Sequence, residues 1–143
     1  MTLTASDIMT PGATCAHLDQ TLDEVARTMR DLAIGALPVT GDDHLLHAIV
    51  TDRDITVRCV AEGKDPRSTT VASLHLDKPV TIAAEDPITE VVRLMTEINV
   101  RRLPVIDGQE LVGMVTQADV ARNATDGETS ELLALISTAP ANN

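Results

Sequence analysis

The hexapeptide IGALPV, Ile34 to Val39, returns as VRRLPV, Val100 to Val105, and this pair decides how the chain is organised. Superimposing the two prolines sets an offset of 66 (104 minus 38). The same offset lays Leu22 on Ile88, Val25 on Val91, Met29 on Met95 and Leu32 on Ile98. Further along, one deletion in the second copy lowers the offset to 65 (116 minus 51). There LHAIVTDRDI, Leu46 to Ile55, matches LVGMVTQADV, Leu111 to Val120. Ordered self-similarity marks a duplicated structural unit, here one of about 60 residues.

Each copy has the same local grammar. Leu22, Val25, Ala26, Met29 and Leu32 recur at helical spacing, with Asp23, Glu24, Arg27 and Arg30 on the wet side. In the second copy Ile88, Val91, Val92, Met95 and Ile98 form the stripe, and Asp86-Pro87 reads as a helix opening with Asp86 as the cap. The LPV that follows each helix predicts a short strand, and a turn (TGDDH or IDGQE) comes next. LLHAIVT and LVGMVT read as buried strands that give way to a further helix at T-x-x-D. The unit is strand, helix, strand, strand, helix, an α+β arrangement, and two stacked copies cover what one leaves open.

Composition narrows the function. The 143 residues hold 22 acids and 11 bases, a formal charge of −11, which repels phosphate backbones and anionic lipid. Nucleic acid and membrane are therefore not expected as partners. There is no Phe, Trp or Tyr, so no ring can stack on a ligand. Cys15 and Cys59 form no metal-ligand spacing and read as small buried apolar side chains. No stretch has the length of a membrane span or the layout of a signal peptide, so a cytoplasmic address is expected. His17, His44, His47 and His75 are scattered, Asp42 and Asp43 read as a solvated turn, and no nucleophile or phosphate-loop motif is present. Neither a metal nor an enzyme is expected.

The doubled order, ALPV or RLPV followed by VTxxD, resembles a tandem pair of CBS domains, a Bateman module, from Ser6 to about Asn123. With the linker EGKDPRSTTVASL it is similar to stand-alone bacterial pairs of the actinobacterial hypoxic response type. The resemblance implies two repeats packed with pseudo-twofold symmetry. Their expected bounds are 1–65 with the N-terminal lead-in, 66–125, and a tail at 126–143 whose Glu128 to Ser137 stretch reads as a short helix.

Thr51 and Asp54 in VTDRD, and Thr116 and Asp119 in VTQAD, admit two accounts. A hydroxyl and a carboxylate three apart at a helix start can meet a phosphate and a ribose. They can equally form an ordinary capping box. The resemblance favours adenosyl contacts and carries over to Thr51, Asp54, Ile34, Ala36 and Pro38, and to Thr116, Asp119, Val100, Arg102 and Pro104. Thr14 and Val80, entering the first strand of each copy, are further candidates. Arg53, Arg101 and Arg102 are the bases placed to grip a phosphate. Gly113, where the first copy has Ala48, is expected to let a ligand approach the backbone, and together with the adjacent Arg101 and Arg102 it favours the second site.

The implied function is a regulatory module that requires no cofactor. It would bind AMP, ADP, ATP or S-adenosylmethionine in clefts between the repeats, form a homodimer, and signal to a separate effector protein. The alternative is a dimeric interaction scaffold with no nucleotide.

Overall fold

The computed structural model describes residues 3–123. The stretch expected to form a helix at Glu128 to Ser137 lies outside them.

Two compact units divide the chain: residues 14–79, and residues 1–13 together with 80–143. In the first-repeat unit β2 (Ala16–His17) leads to α2 (Leu22–Leu32), β3 (Ala36–Thr40), β4 (Leu46–Thr51) and α3 (Asp52–Ile55). A π-helical turn, Thr56–Val60, continues α3, and a 3-10 turn follows at Ala72–Leu74. The sheet order is β2-β3-β4, with β2 parallel and β4 antiparallel to β3. Because β2 pairs only with Val39 and Thr40, Pro38 stands outside that ladder and its missing N–H is not needed there.

The second-repeat unit opens with α1 (Ala5–Ile8) and β1 (Thr10–Pro11), then resumes with β5 (Ile82–Ala83), α4 (Ile88–Ile98), β6 (Arg102–Asp107), β7 (Glu110–Thr116) and α5 (Gln117–Asn123). Its sheet order is β1-β7-β6-β5. The order strand, helix, strand, strand, helix thus holds in both copies. The single deletion falls in the turn between the last two strands, after a register shift that both copies share.

The two helices bury the expected stripe. Leu22, Val25 and Met29 pack with Leu37, Val39, Val50 and Cys59, while Ile88, Val91, Val92 and Met95 pack with Leu103, Val105 and Val115. Each fully buried Leu, Ile or Val contributes about 1.5–3 kcal/mol, so many aliphatic contacts replace the absent rings. Leu32 and Ile98, expected in the stripe, are 47% and 38% exposed. Each is the last residue of its helix, directly before a left-handed cap at Ala33 (φ 56°) or Asn99 (φ 55°).

Asp86 does not cap α4. Its Oδ2 accepts the N–H of Ala83 at 3.1 Å, closing a turn, and Pro87 takes the cap position with no side-chain bond. The carboxylate thus closes the Ala83–Asp86 turn instead of capping the helix.

The division in space differs from a cut at 65/66. Ala5 and Ile8 sit in the second repeat's core, and Val71 and Leu74 sit in the first's. Backbone bonds repeat this exchange at the sequence offset. Ala5 N–H donates to Asp86 O at 2.8 Å, and Val71 N–H to Gln20 O at 2.9 Å. Ile88 N–H reaches Leu3 O, and Leu22 N–H reaches Thr69 O, both at 2.9 Å. Each opening segment therefore completes the unit built by the other copy. The linker is tied down as well: Asp23 N–H bonds Pro66 O, and Thr69 Oγ1 donates to Asp65 O at 2.8 Å.

Candidate functional site

β4 runs into α3 at Thr51, whose backbone is extended (φ −115°, ψ 161°). There the N–H and hydroxyl of Thr51 both donate to Asp54 Oδ2, at 2.8 and 2.9 Å, and Asp54 N–H donates back to Thr51 Oγ1 at 3.1 Å. β7 runs into α5 in the same way. Thr116 donates to Asp119 Oδ2 at 2.9 and 3.0 Å and receives Asp119 N–H at 3.2 Å. Of the two accounts open from sequence, the capping box is therefore realised twice, with Asp where Glu or Gln is usual.

The caps leave chemistry over, and they leave it unevenly. Asp54 is half-buried, and its Oδ1 has no partner among the described residues. Asp119 has a side chain 4% exposed, and its Oδ1 accepts a bond from Arg122. Arg122 does not stand out in the sequence; its spacing of three from Asp119 on a helix is the signal that could have found it.

Strand pairing brings several expected residues beside these boxes. Ala36 is the cross-strand partner of Thr51, and Arg102 that of Thr116. Asp52 N–H donates to Gly35 O at 2.9 Å and Gln117 N–H to Arg101 O at 2.8 Å, which fixes the start of each ALPV or RLPV strand against the following helix. Pro38 and Pro104 lie buried two cross-strand pairs further in, opposite Ile49 and Met114. Ile34 is 40% exposed and Val100 half-buried, each just ahead of its strand. Thr14 and Val80 are exposed two residues before β2 and β5, and no hydrogen bond joins either to a T-x-x-D pair.

The arginines separate into two groups. Arg27, Arg30, Arg67, Arg93 and Arg122 each hold a carboxylate, and Arg58 donates to Leu74 O at 3.1 Å. The side chains of Arg53, Arg101 and Arg102 have no such partner among the described residues, and Arg101 Nε is buried without an acceptor. Arg53 lies inside the first box, and Arg101 and Arg102 stand where the strand paired with Thr116 begins.

Gly113 lies against β1. A Cβ there would stand 2.6 Å from Thr10 O and 2.7 Å from Met9 Sδ, so the missing side chain makes room for β1, which pairs with β7 at this point. The expectation that Gly113 favours the second site is corrected accordingly. At the equivalent Ala48 no strand covers β4 among the described residues. A hollow of about 280 Å³ opens there, lined by Leu18, His47, Ala48, Val71, His75 and Leu76 among others.

The acids of the turn hold imidazoles rather than standing alone in water. His47 Nε2 lies 2.9 Å from both carboxylate oxygens of Asp43. That hydrogen bond, helped by Leu45 N–H, holds the Asp43 carboxyl below its ordinary range. His17 Nδ1 accepts Asp19 N–H at 3.0 Å, so its ring proton sits on Nε2 and is donated to Asp42 at 2.9 Å. Ligand atoms of His17, Asp19 and Asp42 lie within 4.8 Å of one another. Both ring nitrogens are engaged, so a cation would have to displace one of these bonds. Cys59 is buried, and burial pushes the half-buried Cys15 thiol up.

The family model described as "CBS domain" matches residues 5–60 and 71–126. The chain belongs to the CBS-domain family. It is a CBS pair, a regulatory module of a kind that commonly binds adenosine ligands, and no catalytic family is indicated. It is 46% identical over 120 residues to Hypoxic response protein 1 of Mycobacterium tuberculosis, covering 84% of each chain. Among solved structures, Hypoxic Response Protein I with two coordinated zinc ions is 44% identical, with a TM-score of 0.78 over 86% of this chain and all of that one. CBSX2 in complex with AMP is 24% identical, with a TM-score of 0.73 over 85% and 95%, a likeness of fold. Among the described residues of this CBS pair no helix is long and apolar enough to cross a membrane.

Proposed function

We propose that this CBS pair is a sensor that binds an adenosyl ligand, AMP, ADP, ATP or S-adenosylmethionine, at its T-x-x-D sites and signals to a separate effector protein as a cytoplasmic homodimer. The observation that carries this reading is the set of arginines without acids. On a chain with twice as many acids as bases, Arg53, Arg101 and Arg102 lack a carboxylate among the described residues, and Arg101 Nε is buried unsatisfied. An unmet buried donor costs about 1–3 kcal/mol, which a bound phosphate would relieve. Asp54 supplies an open carboxylate oxygen for a ribose hydroxyl, Thr51 and Ala36 lie beside it, and the same fold holds AMP in CBSX2. The reading requires no resident metal.

Thermal unfolding with a panel of the four ligands tests it. A ligand at 100 times its Kd should add about 2.7 kcal/mol to the stability of the chain. Asp54→Ala and Arg53→Ala should each reduce that gain.

A second reading, a dimeric scaffold without a nucleotide, is favoured by the capping boxes, which already use both Thr hydroxyls, and by the exposure of Leu32, Ile34, Val57 and Val60. It predicts no stabilisation by any ligand of the panel.

A further inference from the structure

We infer that Arg122 is an occupancy-determining residue that keeps the second T-x-x-D site closed, so that the chain takes its first adenosyl ligand at Thr51 and Asp54. This rests on the sensor reading above. The two boxes are built alike to within about a tenth of an ångström in their three bonds, so the difference between them lies in the remaining carboxylate oxygen. At Asp54 that oxygen has no partner among the described residues. At Asp119 it is held by the Arg122 guanidinium, and Asn123 Nδ2 also donates to Asp119 O at 2.7 Å, closing the turn. The offset of 65 puts Val57 where the second copy has Arg122, and a valine 42% exposed offers no charge to pair.

A ribose hydroxyl is a neutral donor, and to reach Asp119 it must displace a charge-assisted bond from a carboxylate only 4% exposed. At Asp54 nothing has to be displaced. Arg122 is itself 65% exposed, so its head can swing into water. The device is thus a latch that a high ligand concentration can open.

Calorimetric titration of the full chain with AMP, ADP, ATP and S-adenosylmethionine tests this. The wild type should show one binding event per chain, with any second event at least about tenfold weaker, the scale of one charge-assisted hydrogen bond to a buried carboxylate. Arg122→Ala should bring a second event into range, and Val57→Arg, which places a guanidinium three residues after Asp54, should weaken the first by about two- to fivefold. Two equal events in the wild type, or one unchanged or weakened event in Arg122→Ala, would overturn the latch while leaving adenosyl binding in place. Absence of binding by all three proteins to all four ligands would remove the sensor reading itself, and the latch with it. Should Arg122→Ala fail to fold, Val57→Arg decides alone: weakening by about two- to fivefold upholds the latch, and unchanged affinity overturns it.

Discussion

Ala5 gives its backbone N–H to the carbonyl of Asp86, so the start of the chain is part of the floor on which the second repeat's helix begins. Ile8, three residues on, is 5% exposed within the same core. Ile8→Ala should therefore cost about 2–4 kcal/mol. Its effect should be local: hydrogen exchange should quicken in α4 and β7 while α2 and β4 keep their protection. Equal loss in both units would show that the lead-in does not belong to the second.

Gly113→Ala should be costlier than its chemistry suggests. The added Cβ meets Thr10 O, a backbone atom that can move only if β1 leaves the sheet. A loss of about 1–3 kcal/mol is expected in denaturant unfolding, the range for overpacking. At the matching position the reverse change, Ala48→Gly, should cost only about 1 kcal/mol, since no strand covers it among the described residues.

Ala33 ends α2 in a left-handed conformation that its Cβ disfavours. Ala33→Gly should stabilise the chain by up to about 1 kcal/mol, visible as a rise in Tm. The same change at Asn99 should gain less, because asparagine tolerates this region.

Acid should weaken the turn between β3 and β4. The Asp43 carboxyl is held down in the folded chain first by His47 and then by Leu45 N–H. Its stabilising contribution is present above the ordinary carboxylate value and disappears as pH falls through the depressed one. Carbon-13 NMR of the carboxyl should show a titration below the usual range that returns toward it in His47→Ala. An unchanged titration in that variant would assign the effect to the backbone.

The architecture was largely legible because hydrophobic spacing and the repeat offset carry it: Leu22, Val25 and Met29 and their counterparts lie where the pattern puts them. The exchange of opening segments was not legible, since the apolar residues Ala5, Ile8, Val71 and Leu74 say that a core is near but not whose. At the boxes, Thr51/Asp54 and Thr116/Asp119 were legible as pairs, and their duty as caps was one of two open accounts. Three-dimensional neighbours of distant sequence, such as His17 with Asp42 and Gly113 with Thr10, have no local signature. Arg122 had one, at helical spacing from Asp119, but only burial of that carboxylate gives the pairing its weight.

The traded openings also bear on how a nascent chain reaches this state. Ala5 must wait for Asp86, 81 residues later (86 minus 5), before it finds its bond, whereas residues 14–79 can close as soon as their own stretch has emerged. Such distant closure slows assembly, so maturation is expected to start at residues 14–79, with Ala5 and Ile8 settling later.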